Sequence, residues 1–482
     1  MNRQNIWVHI TIAAVIISFA AVLGQLERMR SDLKFIGKTY DRTSSKPIAA
    51  TTKRATKSAA ATIGEPEVLV KFRPEVTAAQ IERITAKNND RVEDSIEAVK
   101  NLTAIDDLDD ADAETVANQY NAMSDVVLYA EAVQQIKLEP TENFRPVAPK
   151  SDEELKDFSS PNDPMFNEQW ALNNDGQNGG KTGAHVAALK AWAKTHGSSE
   201  VVIAVLDTGV DYTHPDLINN IWIRPDTVPA YTDANLGTID DIHGFDAAEN
   251  TGDPMDDNGH GTHCAGIIGA EGNNDVGIAG INWNVEIMPL KFLGRGGFGS
   301  TKDAIEAINY AVDRKKNGVN IRVISASWGS TQKSKALGDA IDAAGKAGIL
   351  FVAAAGNDAT NNDKRPHYPS NYDLPNVLSV AALDRADNLA SFSNFGIKTV
   401  HIAAPGREIV STWLDDDYRE ASGTSMATPY VAGTAALILS SEPDLSVEKL
   451  RKRILNSVDK IDSLNGKIES GGRLNAAKAL GD

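Results

Sequence analysis

The chain has 482 residues, 41% of them hydrophobic and 24% charged, with 37 glycines and 19 prolines. That is ordinary globular usage on a length too great for one compact core, which excludes a peptide, wholesale disorder and a polytopic membrane protein. Acidic side chains number 66 against 48 basic ones, a formal charge of −18, which repels phosphate backbones, excludes nucleic acid as a partner and suits cations. The lone cysteine, Cys264, excludes an intrachain disulfide and a multi-cysteine zinc cluster.

In chain order, residues 6–24 (IWVHITIAAVIISFAAVLG) form a nearly uncharged run after Arg3. The run is apolar all round, longer than a usual signal core and just long enough to span a bilayer. Residues 1–26 therefore read as an export segment, either a cleaved signal peptide or an uncleaved anchor holding the chain on the outer side. Residues 27–64 turn to Lys, Arg, Ser, Thr and Ala and lack the large apolar side chains that offset ordering entropy, so they read as a flexible linker.

Order resumes with VLVKF, a strand, followed by Thr77 and Gln80 spaced as a capping box for the helix AAQIERITAK. LTAIDDL reads as a strand, DAETVANQYNAM as a helix, and DVVLYAEAVQQIKL as a strand pair or one long strand. Residues 65–138 thus form a small α+β unit. The Pro- and charge-rich stretch 139–161 reads as a linker to a Gly- and Ala-rich region, 162–482.

In that region apolar runs recur at 201–206 (VVIAVL), 285–293 (VEIMPLKFL), 321–327 (IRVISAS), 349–356 (ILFVAAAG) and 377–383 (VLSVAAL). Continuous apolar strands of this kind belong to a parallel sheet covered on both faces. TKDAIEAINYAVDRK, KALGDAIDAAGKAG and SMATPYVAGTAALILSS carry helical periodicity between or after them. The fold class is α/β, a doubly wound and mostly parallel sheet, whose ligands bind at the carboxyl ends of the strands.

Four segments at such ends carry chemistry. Asp207 ends the first strand in DTGVDYTHPDL, where a carboxylate either caps the turn before Gly209 or orients an imidazole. In DDNGHGTHCAGIIGA, Gly259 and Gly261 flank His260 and leave its ring accessible; His263 lies one residue short of a zinc-pair spacing, so it reads as a structural, hydrogen-bonded histidine. Ser425 in SGTSMATPYVAG stands at a helix start, where it serves either as an N-cap or as a nucleophile whose own amide faces a reacting oxygen. Asn357 in AAAGND ends a buried strand, and its amide can stabilise an oxyanion.

Taken in order, Asp, His, Asn and Ser within these motifs resemble the subtilisin-like serine proteases over residues 162–482, on the thermitase and proteinase K side of that family. The resemblance implies a serine endopeptidase that hydrolyses peptide bonds through an acyl-enzyme, with Ser425 as nucleophile, His260 as base and acid, Asp207 orienting the ring, and Asn357 with the Ser425 amide as oxyanion hole. It makes Gly297, Phe298 and Gly299 and also Ser327, Trp328 and Gly329 the segments that grip peptide substrates by β-pairing, with Ala354, Ala355 and Gly356 as a pocket wall. Trp328 stands where leucine is common, and it either reshapes that pocket or packs in the apolar surroundings.

The resemblance further implies that 65–138 is a ferredoxin-like propeptide, a chaperone and intramolecular inhibitor, with the maturation cut in 139–161. The implied product is a secreted, monomeric enzyme that touches a membrane only through residues 6–24; the alternative is a membrane-tethered processing peptidase of narrow range. An inactive binding module is the rival class, opposed by the intact Asp207, His260, Asn357 and Ser425. Structural calcium is implied at Asp163, Asp216 and Asn274 with the carbonyls of Gly272, Val276 and Ile278. A second calcium is implied at Asp246, Glu249, Thr251 and Asp253, while Asp256 and Asp257 add charge without an assigned ligand role. Cys264, next to His263, is expected to be a small buried hydrophobe.

Overall fold

The computed structural model describes residues 67–109, 111–147 and 160–481. The expected export segment 1–26, the linker 27–64 and the 148–159 part of the junction lie outside the described residues. Among the described residues no helix is long and apolar enough to cross a membrane.

The amino-terminal region runs β1 (Glu67–Phe72), α1 (Ala78–Lys87), β2 (Asp90–Ser95), β3 (Leu102–Asp107), α2 (Ala113–Asn121) and β4 (Val127–Ala132). The sheet is antiparallel in the order β2-β3-β1-β4, a ferredoxin-like arrangement. Gln80 accepts from the Thr77 amide at 2.8 Å to start α1, and Asp112 accepts from the Thr115 amide at 2.9 Å to start α2. Side chains alternate across the sheet. Val68, Val70 and Phe72 meet Ile81, Val116 and Tyr120 in one core. Leu69, Leu102 and Ala104 belong to a different cluster, shared with the following region.

That region, 160–481, is built on a nine-stranded sheet. Its elements in chain order are α3 (Ala188–Trp192), β7 (Gly197–Asp207), the hairpin β8 (Tyr231–Asp233) and β9 (Gly237–Ile239), β10 (Phe245–Asp246), α4 (His260–Gly269), β11 (Asn284–Lys291) and β12 (Phe298–Ser300). There follow α5 (Thr301–Lys316), β13 (Ile321–Ala326), α6 (Lys335–Lys346), β14 (Leu350–Ala354), β15 (Val377–Leu383), β16 (Ile402–Pro405), β17 (Ile409–Thr412), β18 (Tyr418–Ser422), α7 (Thr424–Ser441), α8 (Val447–Asn456), β19 (Asp459–Lys460), β20 (Gly472–Arg473) and α9 (Ala476–Ala479). The large sheet has the order β10-β11-β7-β13-β14-β15-β16-β20-β19, and only β19–β20 is antiparallel.

Val201, Ile203 and Val205 of β7 face the cluster that holds α3, α4, α7, α8 and α9. Val202, Ala204 and Leu206 face α5 and α6. This two-sided burial is why the strands read as unbroken apolar runs. The chain passes from β7 to β11 on one side and then to β13 on the other, so the carboxyl end of β7 sits at a topological switch point.

Two expectations for the connecting stretches change. DVVLYAEAVQQIKL is two strands in two sheets: β4 stays in the first, and β5 (Gln135–Lys137) crosses to pair antiparallel with β12. The stretch read as a plain linker contains β6 (Glu142–Pro146), which pairs antiparallel with β18. ENFRP has little strand propensity of its own, and the edge of the β17–β18 pair supplies the partner that local sequence does not reveal.

Candidate active site

Asp207 closes β7 with Oδ1 accepting the Thr208 amide at 2.8 Å and lying 2.7 Å from His260 Nδ1. Both side chains are buried. His260 is the first residue of α4, and the turn before it is tied down by Asp256, which accepts the amides of Asn258, Gly259 and Thr262 and the Thr262 hydroxyl. Gly259 has φ +106°, and a Cβ there would lie 2.4 Å from the Trp413 ring, so no other residue suits the position. Burial by itself lowers the His260 pKa, but the charge and hydrogen bond of Asp207, aided by Asp256, outweigh it and the net shift is upward from 6.5. His260 Nε2 is buried and has no hydrogen-bond partner.

Ser425 lies in the first turn of α7, where backbone amides have no intrahelical acceptor. Four residues on, Pro429 has no N–H to give the Ser425 carbonyl. That carbonyl is satisfied by the Ser327 hydroxyl at 2.9 Å and the Cys264 thiol at 3.6 Å. The Ser425 hydroxyl in turn donates to the Ser327 carbonyl at 2.9 Å. The sequence placed it against the base; here the end of β13 offers a nearby acceptor, and re-aiming a serine hydroxyl takes a single rotamer change.

Asn357 follows β14. Its Oδ1 accepts both the amide and the hydroxyl of Thr424, at 2.8 and 2.9 Å, which fixes the plane of the side chain. Its Nδ2 is buried with no partner. A Cβ on Gly423 would stand 3.5 Å from Asn357 Nδ2, 3.6 Å from the Ser425 nitrogen and 3.4 Å from Thr141 Cγ2. Two amide donors and the segment joining β5 to β6 thus converge at one point.

Asp207, His260 and Cys264 present ligand-type atoms within 4.8 Å of one another. Burial raises the Cys264 pKa well above its ordinary value, so the group is a neutral thiol without the charge a metal needs. It is fully buried, as expected of a small hydrophobe. His263 hydrogen-bonds the Arg419 carbonyl through Nε2 at 3.0 Å, and burial pushes its pKa down to about 3, the neutral structural histidine anticipated.

Of the segments expected to grip substrate, Phe298–Ser300 forms β12, and the Gly297 carbonyl accepts the Leu138 amide at 2.8 Å. Trp328 is core: its ring lies 4.7 Å from that of Phe292, and its indole N–H donates to the Leu206 carbonyl at 2.9 Å. The side chain of Ala355 packs with Ala381 and Leu383 in another cluster, whereas the Gly356 amide is held by the Thr424 hydroxyl at 3.1 Å.

The first acidic group also converges. Asp163 and Asp216 are fully buried, and among the described residues neither pairs with a lysine or arginine. Asp163 Oδ2 accepts the Asn273 amide at 2.7 Å while Oδ1 has no partner. Asp216 accepts from Asn274 Nδ2 at 3.0 Å, the Ile278 amide at 2.9 Å and the Tyr418 hydroxyl at 3.1 Å. Burial raises Asp163 to about 6 and Asp216 to about 7, with Asp163 adding its repulsion to the latter. An orphaned oxygen beside a second buried carboxylate fits a hard cation. The second group differs: only Asp246 is buried, with Oδ1 on the Ala248 and Glu249 amides, while Glu249 and Thr251 are exposed and Asp253 accepts the Tyr212 hydroxyl at 2.8 Å.

A buried carboxylate–imidazole pair, a serine at a helix start and two converging amide donors define a hydrolase of the serine type. The chain belongs to the subtilase family (peptidase S8), whose model matches residues 198–476. It is a serine endopeptidase. It is similar to the thermophilic serine proteinase of Bacillus sp. (strain AK1), 40% identical over 327 residues, which cover 68% of this chain and 73% of that protein. It is similar to thermitase of Thermoactinomyces vulgaris, 37% identical over 67% of this chain and 99% of thermitase. The halolysin-like extracellular serine protease Nep of Natrialba magadii is 36% identical, and the match spans about half of it, 52%. Among solved structures, fervidolysin from Fervidobacterium pennivorans shares the fold, with TM-score 0.68 and 23% identity over 87% of this chain and 61% of fervidolysin. A protease of Pseudoalteromonas arctica matches with TM-score 0.55 and 28% identity over 67% of this chain and 98% of that one.

The roles of two residues escaped the sequence reading. Asp256 had a signal in its place four residues before His260, ahead of a Gly-flanked turn. His367 had none, standing alone in the polar stretch DKRPHYPS.

Proposed function

We propose that the chain is the zymogen of an exported serine endopeptidase acting through an acyl-enzyme. Ser425 Oγ adds to the peptide carbonyl carbon as its proton passes to His260 Nε2, and Asp207 holds Nδ1–H and stabilises the imidazolium. The oxyanion lies between Asn357 Nδ2 and the Ser425 amide, supported by the convergence of those donors about Gly423, which is the observation that carries the reading. The imidazolium gives its proton to the leaving nitrogen, the C–N bond breaks, and water deprotonated by the same ring adds to the ester and frees the acid. Ser425→Ala should lower kcat by about a millionfold. Asn357→Ala should lower kcat by about 10²–10³ with KM nearly unchanged. Steady-state kinetics on a peptide substrate check both. A Ser425→Ala enzyme that still cleaves, or an Asn357→Ala loss confined to KM, would overturn the assignment.

Residues 65–138 act as propeptide, supported by β5 and β6 pairing on both sides of the cleft with Thr141 beside Gly423. Ser425 makes the maturation cut within 139–161. Export is supported by the run 6–24 and by one relative's designation as extracellular. Asp163, Asp216 and Asn274, with the Gly272, Val276 and Ile278 carbonyls, hold a structural calcium that neutralises the buried acids. Calcium bound only to the folded state contributes about 2.7 kcal/mol at a hundredfold excess over Kd. Melting with calcium and with chelator should show a higher Tm with calcium, abolished in Asp216→Ala; an unchanged Tm contradicts the site.

A further inference from the structure

We propose that His367 makes the pocket for the residue preceding the scissile bond selective for glutamate. The inference rests on the peptidase reading above and names the substrate class that reading leaves open. Its starting point is the segment lying on the substrate strand. Gln135, Ile136 and Lys137 pair with Ser300, Gly299 and Phe298, and Leu138 donates its amide to the Gly297 carbonyl at 2.8 Å. The ladder fixes the register, so the residue after Leu138 enters the pocket as a substrate side chain would. That residue is Glu139, and its Oε1 lies 2.6 Å from His367 Nε2.

The imidazole belongs to the pocket and not to a loose loop. His367 is 2% exposed. A Cβ on Gly329 would fall 2.0 Å from its Cε1, and a Cβ on Gly356 would fall 3.0 Å from its Cδ2, so the ring is wedged between one segment expected to grip substrate and the expected pocket wall. Its backbone is pinned as well: the His367 amide donates to Asn371 Oδ1 at 3.1 Å, its carbonyl accepts the Ser370 hydroxyl at 2.8 Å, and Ser330 and Tyr368 exchange backbone bonds of 2.7 Å. Nδ1 is buried with no partner, so the ring bonds through Nε2, and that bond goes to the Glu139 carboxylate. A fixed, buried N–H donor at the base of a pocket favours an anionic acceptor over a neutral or apolar side chain, because hydrogen bonds to charged groups are the strong ones and a bare donor left unpaired is penalised.

Fluorogenic peptides Ile-Lys-Leu-X-aminocoumarin, with X as Glu, Gln, Asp, Leu or Phe, test this on the matured enzyme. The wild type should cleave Glu over Gln and Phe by roughly ten- to a hundredfold in kcat/KM. His367→Ala should lose that factor for Glu while keeping or gaining cleavage after Leu and Phe, which also shows that the variant is folded. His367→Gln, which retains a donor, should fall between the two. A wild-type profile favouring Leu or Phe over Glu, or an unchanged Glu preference in His367→Ala, overturns the proposal and leaves the peptidase reading standing. Absence of Ser425-dependent cleavage of every peptide would instead defeat the peptidase reading itself.

Discussion

The two regions bury their sheets differently. In 160–481 both faces of the nine-stranded sheet are covered by helices of the same region, β7 sending alternate side chains to α7 on one side and to α5 on the other. In 67–147 one face packs on α1 and α2, while Leu69, Ile96, Val99, Leu102 and Ala104 join the cluster of α5 and α6. Polar contacts follow the same seam: Asn309 bridges the Ala98 amide and Glu97, and Tyr129 donates to Asp339 at 2.8 Å. The larger region carries a complete core, and the smaller one completes its core only by docking. Folding of the smaller region is therefore expected to be linked to its binding of the larger one, as the proposed propeptide role requires.

The largest expected effect comes from separating them. Residues 65–138 alone should lack a cooperative thermal transition by circular dichroism and should gain one when mixed with a Ser425→Ala catalytic region. Each large side chain of the shared face contributes about 1.5–3 kcal/mol on burial, a large part of what so small a unit can muster. A sharp, partner-independent transition would break the comparison.

The docking should also depend on pH. Glu306 of α5 is buried, and its pKa is raised well above 4.5, by burial first and then by the charge of Asp94 across the seam. A raised carboxyl pKa stabilises the docked state fully below the undocked value and loses that contribution as pH rises through the docked one. Affinity of residues 65–138 for the Ser425→Ala catalytic region should thus fall with rising pH, by up to about tenfold per unit for this one proton, and Glu306→Gln should flatten that limb. Titration calorimetry at several pH values measures it; affinity that rises with pH contradicts the account.

Smaller still is the cap. Glu131 of β4 accepts the Lys335 and Ala336 amides at 2.9 and 3.1 Å at the start of α6. Glu131→Ala should weaken docking by about 1 kcal/mol, a few-fold in the same assay. No change would place the affinity in the apolar seam alone.

Much of this was legible in the chain itself. The run VLVKF located β1 to within a residue and the Thr77–Gln80 pair led to α1 with its observed bounds, because each is decided by neighbours a few residues away. Unbroken apolar runs located the parallel strands, since burial on both faces removes alternation. Asp207 and His260 were matched through local motifs and the structure brings them into contact. What stayed hidden depends on distant partners. The strand β6 exists because β18 offers an edge, the Ser425 hydroxyl turns to a carbonyl 98 residues away, and His367 gains its meaning only when Gly329, Gly356 and Glu139 close around it.

The central claim is that the smaller region lies across the cleft of a serine peptidase that then frees itself. Intact-mass spectra of the purified full-length chain, followed over time beside Ser425→Ala with no other protease present, test it most directly. The account predicts that the wild type divides within 139–161 and gains activity as it does, while Ser425→Ala stays a single inactive chain. Division of Ser425→Ala at the wild-type rate, or full activity of the wild type before any cut, would contradict it.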